Sequence, residues 1–158
     1  MLLVLPWTVR HKRTWGACRR AAAELGLDFQ PAKMTSDTSY YHLLSELWTG
    51  GEDFLICEHD IVPRLDNFRR MVECRKAWCL NPYPGPDKIV LTKSHGFTRY
   101  RASFCAQYPD VMDKISEHGW HALDSRLYTI LDNAGAHPHV HTPLVEHLHA
   151  YPRSDWVL

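Results

Sequence analysis

"FLICEHDIVP", residues 54–63, is the stretch on which the fold turns. Four apolar residues run into Glu58-His59-Asp60, and the chain turns apolar again before Pro63. An apolar run of this length after the turn "GGED" (50–53) reads as a buried strand, "FLICE". Its carboxyl end then carries two acids and an imidazole, and buried charge is costly unless something pairs with it.

Outward from that strand, apolar runs and amphipathic segments alternate. "LLVLP" (2–6) reads as a first strand, and "TWGACRRAAAELG" (14–26) as a helix with Trp15, Cys18, Ala22 and Leu25 on one stripe and Gly26 as its stop. "LDFQPA" (27–32) fits a short second strand. "TSDTSYYHLLSELW" (35–48) places Ser36 and Asp37 as caps ahead of a stripe of Tyr41, Leu44, Leu47 and Trp48. Beyond Asp60, Leu65, Phe68 and Val72 mark another helix. "AWCLN" (77–81) and "IVLT" (89–92) read as strands around the turn-rich "PYPGPD". "YRASFCAQYP" (100–109) reads as a short helix. "WHALDSRLYTILDNAG" (120–135) reads as a long one with Leu123, Leu127, Ile130 and Leu131 inward, and "HPHVH" (137–141) alternates like a strand. The order predicts an α/β sandwich around a mainly parallel central sheet, in a single compact domain over residues 1–158. Ligands of such sheets bind beyond the carboxyl ends of the strands, where Glu58 to Asp60 would sit.

Composition narrows the functional classes. The chain has 158 residues, 45% hydrophobic with six Trp, and 18 basic residues balance 18 acidic ones. Zero formal charge argues against a whole-protein electrostatic grip on nucleic acid or an anionic membrane. The apolar runs are too short to span a bilayer, and "MLLVLPW" reads as a strand, not a signal peptide. A cytoplasmic location is expected. The five cysteines (18, 57, 74, 79, 105) are scattered without a CxxC pair, which predicts buried free thiols over a disulfide framework or thiolate zinc site.

Eleven His residues are unusual, and His137, His139, His141, His147 and His149 crowd near the C-terminus. They could partner Asp60, bind metal adventitiously, or form a zinc centre of imidazoles, although no Cys accompanies them and no HExxH helix is present. Glu58 and Asp60 share a face if the extended backbone continues, while His59 points away. With a tail imidazole they would suit Mn²⁺ or Mg²⁺. The same residues also fit a strand surfacing into a solvated loop.

The pattern "DFLICEHDIVP", after the start "LPWTVR", resembles the acidic metal motif of GT-A-type glycosyltransferases, written DxD and here Glu58-His59-Asp60. The chain is similar to the short glycosyltransferase-like proteins of bacteriophages and bacteria, with "HGFTRYRASF" (95–104), "WHALDSRL" (120–127) and "VEHLH" (145–149) in matching order. The resemblance implies a Rossmann-like GT-A fold and transfer of a sugar from a UDP- or GDP-linked donor to an acceptor hydroxyl, in the host cytoplasm if phage-encoded. It implies Asp60 as direct ligand to Mn²⁺ or Mg²⁺, and Glu58 on the ribose or a metal-bound water. His147, with His149 next, would complete the sphere. Asp124 matches the place of the catalytic base, with Trp120 one turn before it.

Arg10 and Arg13 of "VRHKRTWGACRR" (9–20) are the diphosphate candidates, with Pro6 and His59 also placed at the nucleotide. His95, Arg99 and Arg101 are acceptor candidates, whereas Phe97, Tyr100 and Phe104 are expected to pack. The basic stretch would also suit a local DNA contact, with a modified base as acceptor. Enzymes of this fold are generally longer, with a distinct acceptor region. A metal-dependent hydrolase or nuclease, or a non-catalytic nucleotide- or metal-binding module, could use the same residues.

Overall fold

Leu3 and Leu5 are buried among one set of core residues and Val4 among another. Strand side chains alternate in direction, so this split means that both faces of the sheet are covered. The computed structural model describes residues 1–85 and 89–148. In chain order it contains β1 (Leu2–Trp7), α1 (Lys12–Leu25), β2 (Asp28–Lys33), α2 (Ser39–Thr49), β3 (Phe54–Cys57), β4 (Ile61–Val62), α3 (Leu65–Glu73) and β5 (Trp78–Leu80). There follow β6 (Tyr83–Pro84), β7 (Val90–Leu91), β8 (Phe97–Tyr100), α4 (Ala102–Gln107), a 3₁₀ turn (Met112–Lys114), α5 (Trp120–Asn133), β9 (His139–Val140) and β10 (Glu146–His147).

The central sheet runs β2-β1-β3-β8-β5-β9. β1 is parallel to both β2 and β3, and β5 is parallel to β9. β8 lies antiparallel between β3 and β5. One face packs Leu3, Leu5, Leu55 and Cys57 with Cys18 and Ala21 of α1 and Phe68 and Met71 of α3. The other packs Val4, Phe54 and Ile56 with Tyr40, Leu44 and Trp48 of α2 and Leu123, Leu127 and Leu131 of α5. Each fully buried large apolar side chain contributes about 1.5–3 kcal/mol. This is the expected α/β sandwich with a mostly parallel sheet. Among the described residues, no helix is long and apolar enough to cross a membrane.

The order β2-β1-β3 positions the site. α1 leaves β1 on one face, and α2 precedes β3 on the other. The loops beyond β1 and β3 therefore diverge, which is where an open parallel sheet forms a ligand crevice. β2 is the exposed edge of the sheet and tolerates Pro31, because an edge strand can spare an N–H.

Gly26 and Gly135 stop their helices at φ values of 64° and 74°, which favour glycine. Three readings of the sequence are revised. "IVLT" contributes only Val90–Leu91, paired with Tyr83–Pro84 outside the main sheet. "FTRY" is instead a central strand, with Arg99 fully buried. Asp37 does not cap α2, where Thr38 is the N-cap. Its backbone oxygen and Oδ1 each accept from the Trp120 N–H at 3.2 Å, at the start of α5. Gly119 permits that approach, since a Cβ there would lie 2.6 Å from Asp37 Oδ2.

Candidate active site

β3 ends at Cys57, and Glu58, His59 and Asp60 follow as buried residues at the crevice. The chain then extends through β4, which pairs antiparallel with β10: Glu146 opposite Val62, and His147 opposite Ile61. The Leu148 N–H donates to the Asp60 carbonyl at 2.8 Å. This short ladder places Asp60 Oδ2 3.2 Å from His147 Nε2. His147 Nδ1 lies 2.8 Å from the Pro84 carbonyl, which can only accept. Nδ1 therefore carries the hydrogen, and in the neutral ring Nε2 turns its lone pair toward Asp60. A backbone carbonyl holding the far nitrogen is also how metal-ligating imidazoles are commonly oriented.

The tail is held in register by buried amides. Asn67 Nδ2 donates to Asn81 Oδ1 at 3.3 Å, and Asn81 Nδ2 donates to the Pro143 carbonyl at 2.6 Å. Arg13 makes a two-pronged contact with Glu146, at 2.8 and 2.6 Å. It thus ties α1 to the residue beside His147.

Asp60 and His147 open onto a cleft of about 740 Å³ that Thr8, Glu58, Lys93, Trp120 and Asp124 also line. His59 sits in its wall, with Nε2 3.4 Å from Thr8 Oγ1, its ring stacked on His11 and edge-on to Trp120. Asp124 Oδ2 accepts from the His95 N–H at 3.1 Å and from Ser94 Oγ at 3.3 Å. Asp124 Oδ1 and Glu58 Oε1 are buried without a hydrogen-bond partner among the described residues. Burial pushes the Glu58 carboxyl well above the usual carboxylate range, and the charges of Asp124 and Asp60 push it the same way. The Tyr40 hydroxyl beside it offsets part of that cost. Glu58, Asp60 and Asp124 thus crowd together in one cleft, an arrangement relieved by a proton or a bound cation.

Several expected contacts fall elsewhere. Arg99 is fully buried and donates to the carbonyls of Cys74 and Lys76, so no acceptor can reach it. His95 is fully buried against Trp78 and Tyr100, and it meets the site only through its backbone N–H. Arg101 pairs with Asp53 at 3.1 Å. Pro6 is buried in β1 opposite Ala32. The Arg10 guanidinium lies over the Trp15 ring at 4.3 Å. Neither Arg10 nor Arg13 lines the acidic cleft. For the four arginines a nearer partner takes the charge that the sequence offered to a ligand. His149 lies outside the described residues.

The sequence reading missed Thr8, Lys93, Ser94 and Tyr83. Lys93 and Ser94 had a signal, as a polar pair immediately before "HGF", but reading "IVLT" as a sheet strand hid it. Tyr83 packs on His147 at 4.9 Å and meets Ser94 through its hydroxyl.

A solved structure shares this fold. It is the crystal structure of a glycosyltransferase involved in the glycosylation of the major capsid of PBCV-1, with a TM-score of 0.61. The match covers 97% of this chain and 94% of that one at 12% sequence identity, so the likeness is one of fold. A protein from STIV matches at a TM-score of 0.46 and 9% identity over 92% of this chain and 80% of that one, too low to argue from. No protein-family model and no curated protein matches the chain.

Proposed function

We propose that this chain transfers a glycosyl group from a UDP- or GDP-linked sugar to an acceptor hydroxyl, with Mn²⁺ or Mg²⁺ held by Asp60 and His147. The single observation behind this reading is the 3.2 Å approach of Asp60 to His147 in a cleft that also contains Asp124. The shared fold of the PBCV-1 enzyme supports it. The donor set fits such an ion: carboxylate oxygens with one imidazole suit hard divalent cations better than thiolate-seeking ones. Bound there, the ion would neutralise the charge of the diphosphate leaving group.

The remaining chemistry belongs to the side chains. Lys93 offers a further positive charge to the phosphates, and the Trp120 ring offers a flat apolar face to the sugar. The Ser94 hydroxyl and the His95 N–H hold Asp124 Oδ2, which leaves Oδ1 to take the proton of the acceptor hydroxyl as its oxygen attacks the anomeric carbon. Glu58 then serves the ribose or the ion's remaining coordination positions.

Calorimetry with UDP- and GDP-sugars, with and without Mn²⁺, tests the proposal. Metal-dependent donor binding that disappears in Asp60→Ala is expected. Phosphodiester cleavage without any sugar donor would instead favour a hydrolase.

A further inference from the structure

We infer that Cys74, Cys79 and His141, with His139 beside them, form a second metal site, one that takes a thiolate-seeking ion such as Zn²⁺. The four residues come together from three elements. Cys74 caps the C-terminus of α3, and Cys79 lies at the centre of β5. β9 runs parallel to β5 with His139 opposite Cys79. The Leu80 carbonyl accepts the His141 N–H at 2.9 Å and continues that register, so His139 and His141 share the face of Cys79.

The distances suit a tetrahedral ion. The ligand atoms of Cys74, Cys79 and His141 all lie within 4.8 Å of one another, and Cys74 Sγ is 3.4 Å from His139 Nδ1. Zinc bond lengths imply S–N edges of about 3.6 Å and S–S edges of about 3.8 Å. Side-chain rotation of Cys74, Cys79 and His141 would bring their ligand atoms to those edges, with His139 offered from beside Cys74 as the fourth ligand. Two sulfurs exclude Mn²⁺ or Mg²⁺ as the natural occupant.

One observation beyond the cluster itself points to a ligand here. His141 Nε2 is buried with no hydrogen-bond partner among the described residues, a costly state for a polar atom. Arg99, fully buried, spends one Nη on the carbonyls of Cys74 and Lys76. Binding exchanges two thiol protons, released to solvent, for one dication, so the net charge around Arg99 does not change. The ion would staple the short edge strand β9 to the end of α3.

The test is a Co²⁺ titration of the reduced, metal-stripped full chain, followed by Zn²⁺. A single equivalent of Co²⁺ is expected to give thiolate-to-metal charge-transfer absorption and tetrahedral visible bands, both erased by Zn²⁺. Cys79→Ser and, separately, His141→Gln should lose those bands. Cys57→Ser, a buried thiol outside the cluster, and Asp60→Asn should keep them. Should Cys79→Ser fail to fold, His141→Gln carries the test alone, because His141 is only half-buried. Absence of charge transfer in the reduced protein, or bands unchanged in His141→Gln, would overturn the assignment.

Discussion

Asp60 Oδ2 and His147 Nε2 lie 3.2 Å apart although 87 residues separate them in the chain. The contact is built, since β4–β10 pairing, the Pro84 carbonyl and the Asn67–Asn81 amides all hold it. If the pair grips a divalent ion, Asp60→Asn and His147→Gln will each weaken Mn²⁺-dependent donor binding by at least about tenfold, roughly 1.4 kcal/mol. Calorimetry at fixed nucleotide with varied Mn²⁺ measures it. Unaltered binding in both variants would exclude the assignment.

Asp124 is expected to act on the acceptor and not on the donor. Asp124→Asn keeps the hydrogen bonds to Oδ2 in shape but removes the proton acceptor at Oδ1. The expected loss in kcat is about 10²–10⁴-fold, the range of a general base, with donor affinity nearly unchanged. Single-turnover kinetics beside donor calorimetry separates the two. Loss of donor binding alone would remove Asp124 from the base role.

Gly96 is required by a close approach. A Cβ there would lie 2.5 Å from the Tyr83 hydroxyl oxygen and 3.0 Å from its ring carbons. The ring is buried and rests on His147, so it cannot simply swing aside. Gly96→Ala should cost about 1–3 kcal/mol by overpacking. Through Tyr83 it should also loosen His147 and weaken Mn²⁺-dependent binding. Urea unfolding and calorimetry on the same sample provide both readouts.

Arg13 offers the opposite expectation. It pairs with Glu146, and both side chains are more than a third exposed. Arg13→Ala should cost only about 0.2–1 kcal/mol, less at high salt, as exposed pairs do. Donor binding should persist because Arg13 does not line the acidic cleft. A large loss of donor affinity with little loss of stability would return Arg13 to the diphosphate.

The pH dependence of stability should carry a mark of His95. Burial holds its imidazole below the ordinary value, and the opposing pull of Asp124 is the smaller effect. The folded pKa is thus below the unfolded one, near 6.5. Its contribution to stability is complete above the unfolded pKa and is lost as pH falls through the folded value. Melting temperature should therefore drop more steeply below about pH 6.5 in the wild type than in His95→Gln. Equal slopes would show that His95 protonates as readily in the folded chain.

Local pattern alone determined a large part of this protein. The continuous apolar runs of the core strands, the helical stripes through Cys18, Leu44, Phe68 and Leu127, and the stops at Gly26 and Gly135 were all legible, because each depends on neighbours within a turn or two. The position of Glu58-His59-Asp60 beyond a buried strand followed from the same local reading. Only the tertiary structure decided which partner each polar group finds. Arg99 read as a contact for the acceptor but sits buried in a central strand. Arg13 turned to Glu146, Asp37 capped a helix far along the chain, and Cys74 and Cys79 met histidines that no spacing rule joins to them. Burial and pairing across the sheet are set by contacts distant in sequence, and a side chain's charge says nothing of which distant group will reach it first.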